Sequence, residues 1–185
     1  CKGKDEVVIV TKGGTDRRID PPVKRFDADF LRGSVERSLK RLGVERIPVY
    51  LLHCPSRDAL LDESDRKGAL SILRQLQDEG KIAHVGVSCG SEDVLEQALE
   101  AGAEVVELPY NIFHSGPLTR QTGAIMVKRP GVLVRSVLNY GVLAGLWTRD
   151  REFPDTDHRA QRWTRMELEH RCLLYTSPSP RDRTR

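Results

Sequence analysis

Short apolar runs alternate with amphipathic segments along most of the chain. Runs rich in β-branched residues and leucine predict buried strands at 7–10, 48–53, 85–88, 105–108 and 132–136. Between them, apolar positions three and four apart predict helices at 29–42, 67–79, 91–100 and 118–128. Strands that alternate with helices form a parallel sheet with right-handed crossovers, so the pattern predicts an α/β fold.

The first predicted helix has recognisable ends. Asp29 stands where an N-cap is expected, and Gly43 stands where a C′ residue would stop the helix. Glu36 and Lys40 have the spacing of an ion pair on the exposed face. The segment is therefore predicted to be an amphipathic surface helix.

Composition narrows the class of protein. The 185 residues are 38% hydrophobic and 31% charged, which is enough for one folded domain with a core. No apolar run is long enough to span a membrane, and a net charge of +3 is not a nucleic-acid signature. The cysteines (Cys1, Cys54, Cys89 and Cys172) show no CxxC spacing, so no disulfide framework is expected. We therefore expect a cytoplasmic protein without membrane or nucleic-acid partners.

The two ends of the sequence look foreign to this pattern. The chain starts at Cys1 rather than Met, and the residues from Cys172 onward resemble the translation of a transposon-type sequencing-library adapter. We therefore expect a truncated domain over residues 1–171 and a non-native tail over 172–185. A natural Ser/Pro-rich tail is the alternative.

Polar residues recur where the predicted strands end. They are Lys12, His53, Ser88, Asn111 and Ser136. Neither a GxGxxG motif nor a P-loop follows a strand. A (β/α)₈ barrel collects its chemistry at the carboxyl ends of its strands, as does a doubly wound sheet, so this pattern favours the barrel modestly.

Several segments carry a family resemblance and occur in the family's order. They lie at 10–12, 34–42, 49–53, 80–88, 109–111 and 135–145. Over residues 5–163 the chain thus resembles an aldo-keto reductase. The resemblance implies a partial (β/α)₈ TIM barrel, about strands 3–7 of 8. It further implies an enzyme that uses NAD(P)H to reduce a small carbonyl substrate, an aldehyde or ketone, to an alcohol.

The resemblance assigns catalytic roles to Lys12 and His53. Hydride addition builds negative charge on the carbonyl oxygen, which a nearby ammonium stabilises and an imidazole orients. Taken alone, Lys12 could be a solvated strand-end lysine and His53 a structural histidine. The family's aspartate and tyrosine would precede residue 5, so we expect the chain as written to be catalytically inactive.

The resemblance also assigns contacts to the cofactor. Ser88 matches a serine at the nicotinamide carboxamide, whereas Cys89 and Glu107 replace the family's asparagine and glutamine. Arg135 stands where many members stack a ring on the nicotinamide. The residues that match the pyrophosphate loop are Ser136, Leu138, Gly141 and Leu143. The family habit favours NADPH, with NADH as the alternative. Glu107 could instead be an interior acid paired with another barrel residue.

Two other functions are compatible with the same residues. Lys12 could be the Schiff-base nucleophile of a different barrel enzyme, which requires a desolvated amine. The chain could also be a barrel subunit that binds cofactor without catalysis. No metal site is expected from His53, Cys54, His84 and Cys89, because His84 begins its strand whereas His53 ends its own.

Overall fold

The computed structural model describes residues 7–60, 68–145, 147–148, 150–160 and 162–176, with the backbone alone for 173–176. The chain divides into two compact units. The first comprises residues 1–108 and 114–135, and the second comprises 109–113 and 136–185. Each unit has a hydrophobic cluster of its own.

A parallel sheet of five strands forms the centre of the first unit. In chain order the strands are β1 Val10–Gly13, β2 Thr15–Asp16, β3 Val23–Lys24, β4 Ile47–His53, β5 Ile82–Ser88, β6 Val105–Pro109 and β7 Gly131–Arg135. The main sheet has the order β1-β4-β5-β6-β7, while β2 and β3 form a separate antiparallel pair. The parallel pairing confirms the predicted α/β fold.

Helices connect the strands of the main sheet. They are α1 Ala28–Leu42, α2 Arg57–Leu60, α3 Ala69–Asp78, α4 Glu92–Glu100, α5 Gly116–Arg120 and α6 Thr122–Lys128. The predicted helices at 29–42, 67–79 and 91–100 are confirmed to within a few residues where the structure describes them, and the one at 118–128 is divided between α5 and α6. Among the described residues, no helix is both long and apolar enough to cross a membrane.

The core of the first unit lies between this sheet and its helices. Leucines of α1, α3 and α4 pack in one cluster with the apolar side chains of β4, β5 and β6. Leu31, Leu73 and Tyr50 are completely buried. Burial of one leucine side chain stabilises the fold by about 2 kcal/mol. The apolar periodicity of the sequence therefore locates the core correctly.

The beginning of the first unit differs from the prediction. The apolar run at 7–10 is not the first strand, because Val7 and Val8 are exposed and only Val10 enters β1. The N-cap of α1 is Asp27, whose carboxylate accepts a hydrogen bond from the Phe30 amide at 3.0 Å, and not Asp29. The C-terminal stop at Gly43 is confirmed by its left-handed conformation.

Glu36 also has a different partner from the one its spacing predicts. Its carboxylate lies 2.7 Å from the ammonium of Lys81, the residue directly before β5. This pair joins α1 to a distant part of the chain. Helical spacing predicts Lys40 as the partner of Glu36, whereas in the folded chain Glu36 pairs with Lys81.

The second unit contains a 3₁₀ helix over Asn139–Ala144 and α7 Arg165–Thr176. Its small cluster of buried residues comprises Val142, Leu168 and Cys172, with Trp147 and Trp163 packed against it. Because Cys172 lies within α7, the helix continues through the predicted boundary between residues 171 and 172. That boundary stays a prediction.

Candidate active site

Three of the predicted site residues form a row across neighbouring strands. In the parallel register, His53 at the end of β4 lies beside Ser88 at the end of β5, and Ser88 lies beside Glu107 in β6. Residues in register on parallel strands direct their side chains to the same face of the sheet. The sheet therefore gathers these polar groups at one edge, as the sequence predicts.

An ion pair crosses this face. The Lys12 ammonium lies 2.7 Å from Oε1 and 2.6 Å from Oε2 of Glu107. β4 and β5 separate the strands of these two residues, which would be about 14 Å apart in a flat sheet. The contact therefore requires a sheet that curls toward its polar face, as the wall of a barrel does.

Glu107 is the centre of this polar group. Its side chain is only 8% exposed, and besides Lys12 it accepts a hydrogen bond from Ser88 Oγ at 3.1 Å. The Arg135 guanidinium lies 3.5 Å from Oε1 and donates to the carbonyl oxygen of Cys89 at 3.2 Å. One carboxylate thus faces two cations, which leaves a net positive charge at this edge. Glu107 is therefore a buried acid paired with other residues of the sheet, which was the alternative to a contact with the nicotinamide.

His53 is held by groups from the β2–β3 pair. Its Nδ1 lies 3.3 Å from Thr15 Oγ1, and its carbonyl oxygen accepts a hydrogen bond from Lys24 at 2.6 Å. Burial lowers the pKa of His53, and the positive charges of Lys24, Lys12 and Arg17 lower it further. The imidazole is therefore neutral at neutral pH, so one ring nitrogen carries a proton and the other is an acceptor.

Cys89 contributes to the candidate active site mainly through its backbone amide rather than through its thiol. Its amide donates to the carbonyl oxygen of Glu107 at 2.7 Å, and its buried Sγ lies 3.6 Å from the carbonyl oxygen of Val87. Burial, with the nearby Cys54 and Glu107, raises the pKa of the Cys89 thiol to about 12. This thiol stays protonated and is a weak hydrogen-bonding group.

Lys12 and His53 line one cavity of about 770 Å³. Its wall also includes Phe30 and Ser34 of α1 together with a set of cations, Arg17, Arg18, Arg37, Lys40 and Arg41. Asp16 lies in the same wall but is held by two contacts to the Arg18 guanidinium, at 2.9 and 2.8 Å. In the part of the chain that the structure describes, no group of three or more acidic, His or Cys side chains could hold a metal ion.

The remaining predicted residues belong to the second unit. The carbonyl oxygen of Ser136 accepts a hydrogen bond from Asn111 at 2.9 Å. Gly141 has φ of 106°, and a Cβ there would lie 3.0 Å from the Trp147 ring. Leu138 is exposed, whereas Leu143 is half-buried. The structure thus gathers the predicted residues of the first unit and places this loop in the other compact unit.

Comparison with known proteins identifies the class. The model of the aldo/keto reductase family matches residues 2–175, and the chain belongs to this family of NAD(P)H-dependent oxidoreductases that reduce aldehydes and ketones. The chain is 27% identical over 167 residues to the NADH-specific methylglyoxal reductase of Escherichia coli, covering 80% of this chain and 48% of that protein. An aldo-keto reductase of Bacillus subtilis is 26% identical over 157 residues, with coverages of 84% and 46%. The chain therefore spans about half the length of the curated relatives it matches.

Solved structures give the same fold. A glycerol dehydrogenase from Gluconobacter oxydans has a TM-score of 0.72 and 26% identity, and the match covers 90% of this chain and 52% of that one. An aldo-keto reductase from Bacillus halodurans, in its holo form, has a TM-score of 0.71 at 22% identity, covering 97% and 57%. With the five-stranded parallel sheet, these matches confirm the predicted partial (β/α)₈ barrel.

Proposed function

We propose that this chain supplies the central part of an NAD(P)H-dependent carbonyl reductase, with Lys12 and His53 as the residues that act on the carbonyl oxygen. The observation that carries the proposal is their position together in one cavity at the carboxyl ends of β1 and β4. Glu107 holds the Lys12 ammonium in place, and His53 is kept neutral. The domain at 1–171 would carry this function, and the tail at 172–185 would not.

The chemistry follows from charge. Negative charge develops on the carbonyl oxygen as its carbon is reduced, and a preorganised ammonium stabilises that charge strongly in a partly desolvated site. A neutral imidazole can donate one hydrogen bond to the same oxygen and so orient it. Lys12 is therefore the electrostatic group, and His53 is the orienting group.

The acid that must protonate the carbonyl oxygen does not lie beside Lys12 and His53 in the described part of the chain. Tyr50 lies three residues before His53 in β4, hence on the opposite face, and its hydroxyl donates to Ser34 on α1 at 3.0 Å. Burial raises the pKa of Tyr50, which makes it a still weaker acid. Tyr110 and Tyr140 belong to the second unit. We therefore propose that the 185-residue chain alone does not turn over carbonyls.

The residues present fit a nicotinamide carboxamide in part. Ser88 Oγ donates to Glu107 and keeps lone pairs that can accept from an amide NH₂. Both oxygens of Glu107 are already occupied by cations, so Glu107 contributes through Lys12 and Arg135 rather than by a free acceptor. When bound, the reduced cofactor supplies the hydride. We propose NADPH with NADH as the alternative, contacted by Ser88, Cys89 and Arg135, and by Ser136, Leu138, Gly141 and Leu143 of the second unit.

The Schiff-base alternative is less well supported. A nucleophilic lysine needs an amine that is free to attack a carbonyl, whereas both carboxylate oxygens of Glu107 hold the Lys12 nitrogen, at 2.7 and 2.6 Å. Borohydride treatment with an aldehyde tests it directly, because a Schiff base would be trapped at Lys12 and detected by peptide mass spectrometry. We also propose a cytoplasmic location, which is compatible with the free thiols of Cys54 and Cys89.

The experiment that tests the reductase uses a hybrid protein. Residues 7–145 replace the matching segment of the Gluconobacter oxydans glycerol dehydrogenase, and carbonyl-dependent oxidation of NADPH or NADH is followed. We expect activity in the hybrid and none in the 185-residue chain. Lys12→Met should lower kcat at least about a hundredfold, since it removes a charge aimed at the developing oxyanion.

The controls separate the competing functions. Lys128→Met changes an exposed lysine of α6 and should leave kcat unchanged. A folded hybrid that binds cofactor but reduces no carbonyl would favour the non-catalytic subunit. Activity that survives Lys12→Met and His53→Gln would contradict the proposed roles.

A further inference from the structure

Thr15, Lys24 and His53 form a hydrogen-bonded chain beside the candidate active site. Thr15 and Lys24 are opposite each other in the antiparallel β2–β3 pair. The Lys24 ammonium lies 3.1 Å from Thr15 Oγ1 and 2.6 Å from the carbonyl oxygen of His53, and Thr15 Oγ1 lies 3.3 Å from His53 Nδ1. Lys24 thus contacts the histidine at its backbone and, through Thr15, at its ring.

The donors and acceptors of this hydrogen-bonded chain favour one direction. An ammonium group only donates, so Thr15 Oγ1 accepts from Lys24. The hydroxyl proton of Thr15 is then available for Nδ1 of His53. With that bond, the Thr15 hydroxyl accepts from Lys24 and donates to His53. Nδ1 must be unprotonated to accept it, which places the ring proton on Nε2.

The surroundings of His53 support the neutral form on which this assignment depends. Burial and the charges of Lys24, Lys12 and Arg17 lower its pKa, and the only opposing charge among its named neighbours is Glu107. Nε2 has no hydrogen-bond partner within the described part of the chain, and His53 lines the same cavity as Lys12. The protonated nitrogen is therefore the one left for a ligand.

We propose that Thr15 and Lys24 are positioning residues that lock His53 as the Nε2–H tautomer, so that the ring donates to the carbonyl oxygen of the substrate. The part of this proposal that concerns substrate rests on the proposed reductase function. The tautomer itself is a property of the chain without ligands. It gives the β2–β3 pair a role at the site.

Nitrogen-15 NMR of the histidine ring tests the tautomer in the 185-residue chain at pH 8, because the shifts of Nδ1 and Nε2 distinguish a protonated from a bare nitrogen. The His53→Gln variant identifies the signals. We expect the Nε2–H form in the wild type. Thr15→Val keeps the shape but removes the hydroxyl, and should change the tautomer ratio about fivefold, the worth of one ordinary hydrogen bond. Thr15→Ser should restore it.

Lys24→Met should change the ratio in the same direction, because the Thr15 hydroxyl is then no longer held as an acceptor of the ammonium. Thr119→Val and Lys128→Met remove a hydroxyl and a charge on α5 and α6 and should change nothing. A ring protonated on Nδ1 in the wild type, or a ratio unaltered by both Thr15→Val and Lys24→Met, would overturn the proposal.

The hybrid enzyme separates this proposal from the reductase itself. If the hybrid is active, Thr15→Val should lower kcat with little change in KM, and Thr15→Ser should recover it. A hybrid whose activity is insensitive to His53→Gln would overturn the proposed reductase role, even where the ring shifts show the locked tautomer. An active, His53-dependent hybrid that is insensitive to Thr15→Val would overturn the positioning role alone.

Discussion

Glu107 holds the Lys12 ammonium with both carboxylate oxygens, at 2.7 and 2.6 Å, across two intervening strands. The pair links the first strand of the curled sheet to the fourth in spatial order. It also contributes to the charge balance of the candidate active site, because the buried carboxylate of Glu107 faces Lys12 and Arg135 together.

Glu107→Gln should therefore destabilise the fold. The substitution leaves two cations facing each other without a carboxylate. We expect a loss of about 2 kcal/mol in the free energy of unfolding, less than for a fully buried pair because the Lys12 and Arg135 side chains keep 34% and 32% of their area exposed. Urea denaturation measures it.

Glu104→Gln is the matched control. Glu104 contacts His84 and Gln77, and its side chain is 39% exposed. Its loss should cost less than about 1 kcal/mol. Equal costs for the two substitutions would show that Glu107 has no special role in the fold.

His53 should make stability depend on pH. Burial first, then the neighbouring cations, lower its pKa in the folded chain, whereas the unfolded chain has the ordinary value near 6.5. The unfolded state therefore binds more protons between the two values, so stability is complete above about pH 7 and declines as the pH falls through that window. Urea denaturation from pH 5 to 8 should show a decline in the wild type that His53→Gln reduces. His114→Gln, at an exposed histidine, should leave the decline unchanged.

Gly13 should tolerate no side chain. A Cβ there would overlap the hydroxyl of Tyr50 and lie 2.9 Å from its Cζ and 3.1 Å from Ser34 Oγ. Gly13→Ala should cost about 1–3 kcal/mol in thermal or urea unfolding. Gly123→Ala, at a helical glycine with open space around it, should be neutral or stabilising.

A double-mutant cycle identifies the clashing group. Tyr50→Phe alone should cost about 1 kcal/mol because its hydroxyl donates to Ser34. Combined with Gly13→Ala it should cost less than the sum of the two, because the overlapping oxygen is gone. Strict additivity would mean that the strain at Gly13 arises elsewhere.

Asp27 and Asp29, both near the start of α1, should contribute differently to the stability of the fold. Asp27→Ala should lose about 1 kcal/mol in urea unfolding, because the Phe30 amide loses its acceptor, and Asp27→Asn should retain most of that stability. Asp29→Ala removes only a charge in the first turn and should cost about 0.3 kcal/mol. A larger loss of stability for Asp29→Ala than for Asp27→Ala would instead support Asp29 as the N-cap, as the sequence pattern predicts.

The sequence predicts the parallel strands, most helices and the end at which polar groups gather, because burial periodicity and strand order are local signals. It cannot predict which cation meets which acid. Glu36 pairs with Lys81 and Glu107 with Lys12, and both choices depend on the curvature of the sheet and on packing between distant segments.

The β2–β3 pair shows a different limit. Each strand has two residues, too short for any alternation to be recognised. The Asp20–Pro21 dipeptide is the sequence signal that indicates a turn between the two strands. The two contacts between Asp16 and the Arg18 guanidinium could not be predicted from sequence spacing. Thr15 and Lys24 were missed as site residues for this reason.

The main sheet ends at β1 on one side and at β7 on the other, and no further strand borders either among the described residues. Val132 and Val134 of β7 are also partly exposed, at 37% and 46%. Such edges leave backbone amides and carbonyls open to any extended segment that approaches. An edge of this kind on each of two copies has the geometry to extend one sheet into the next.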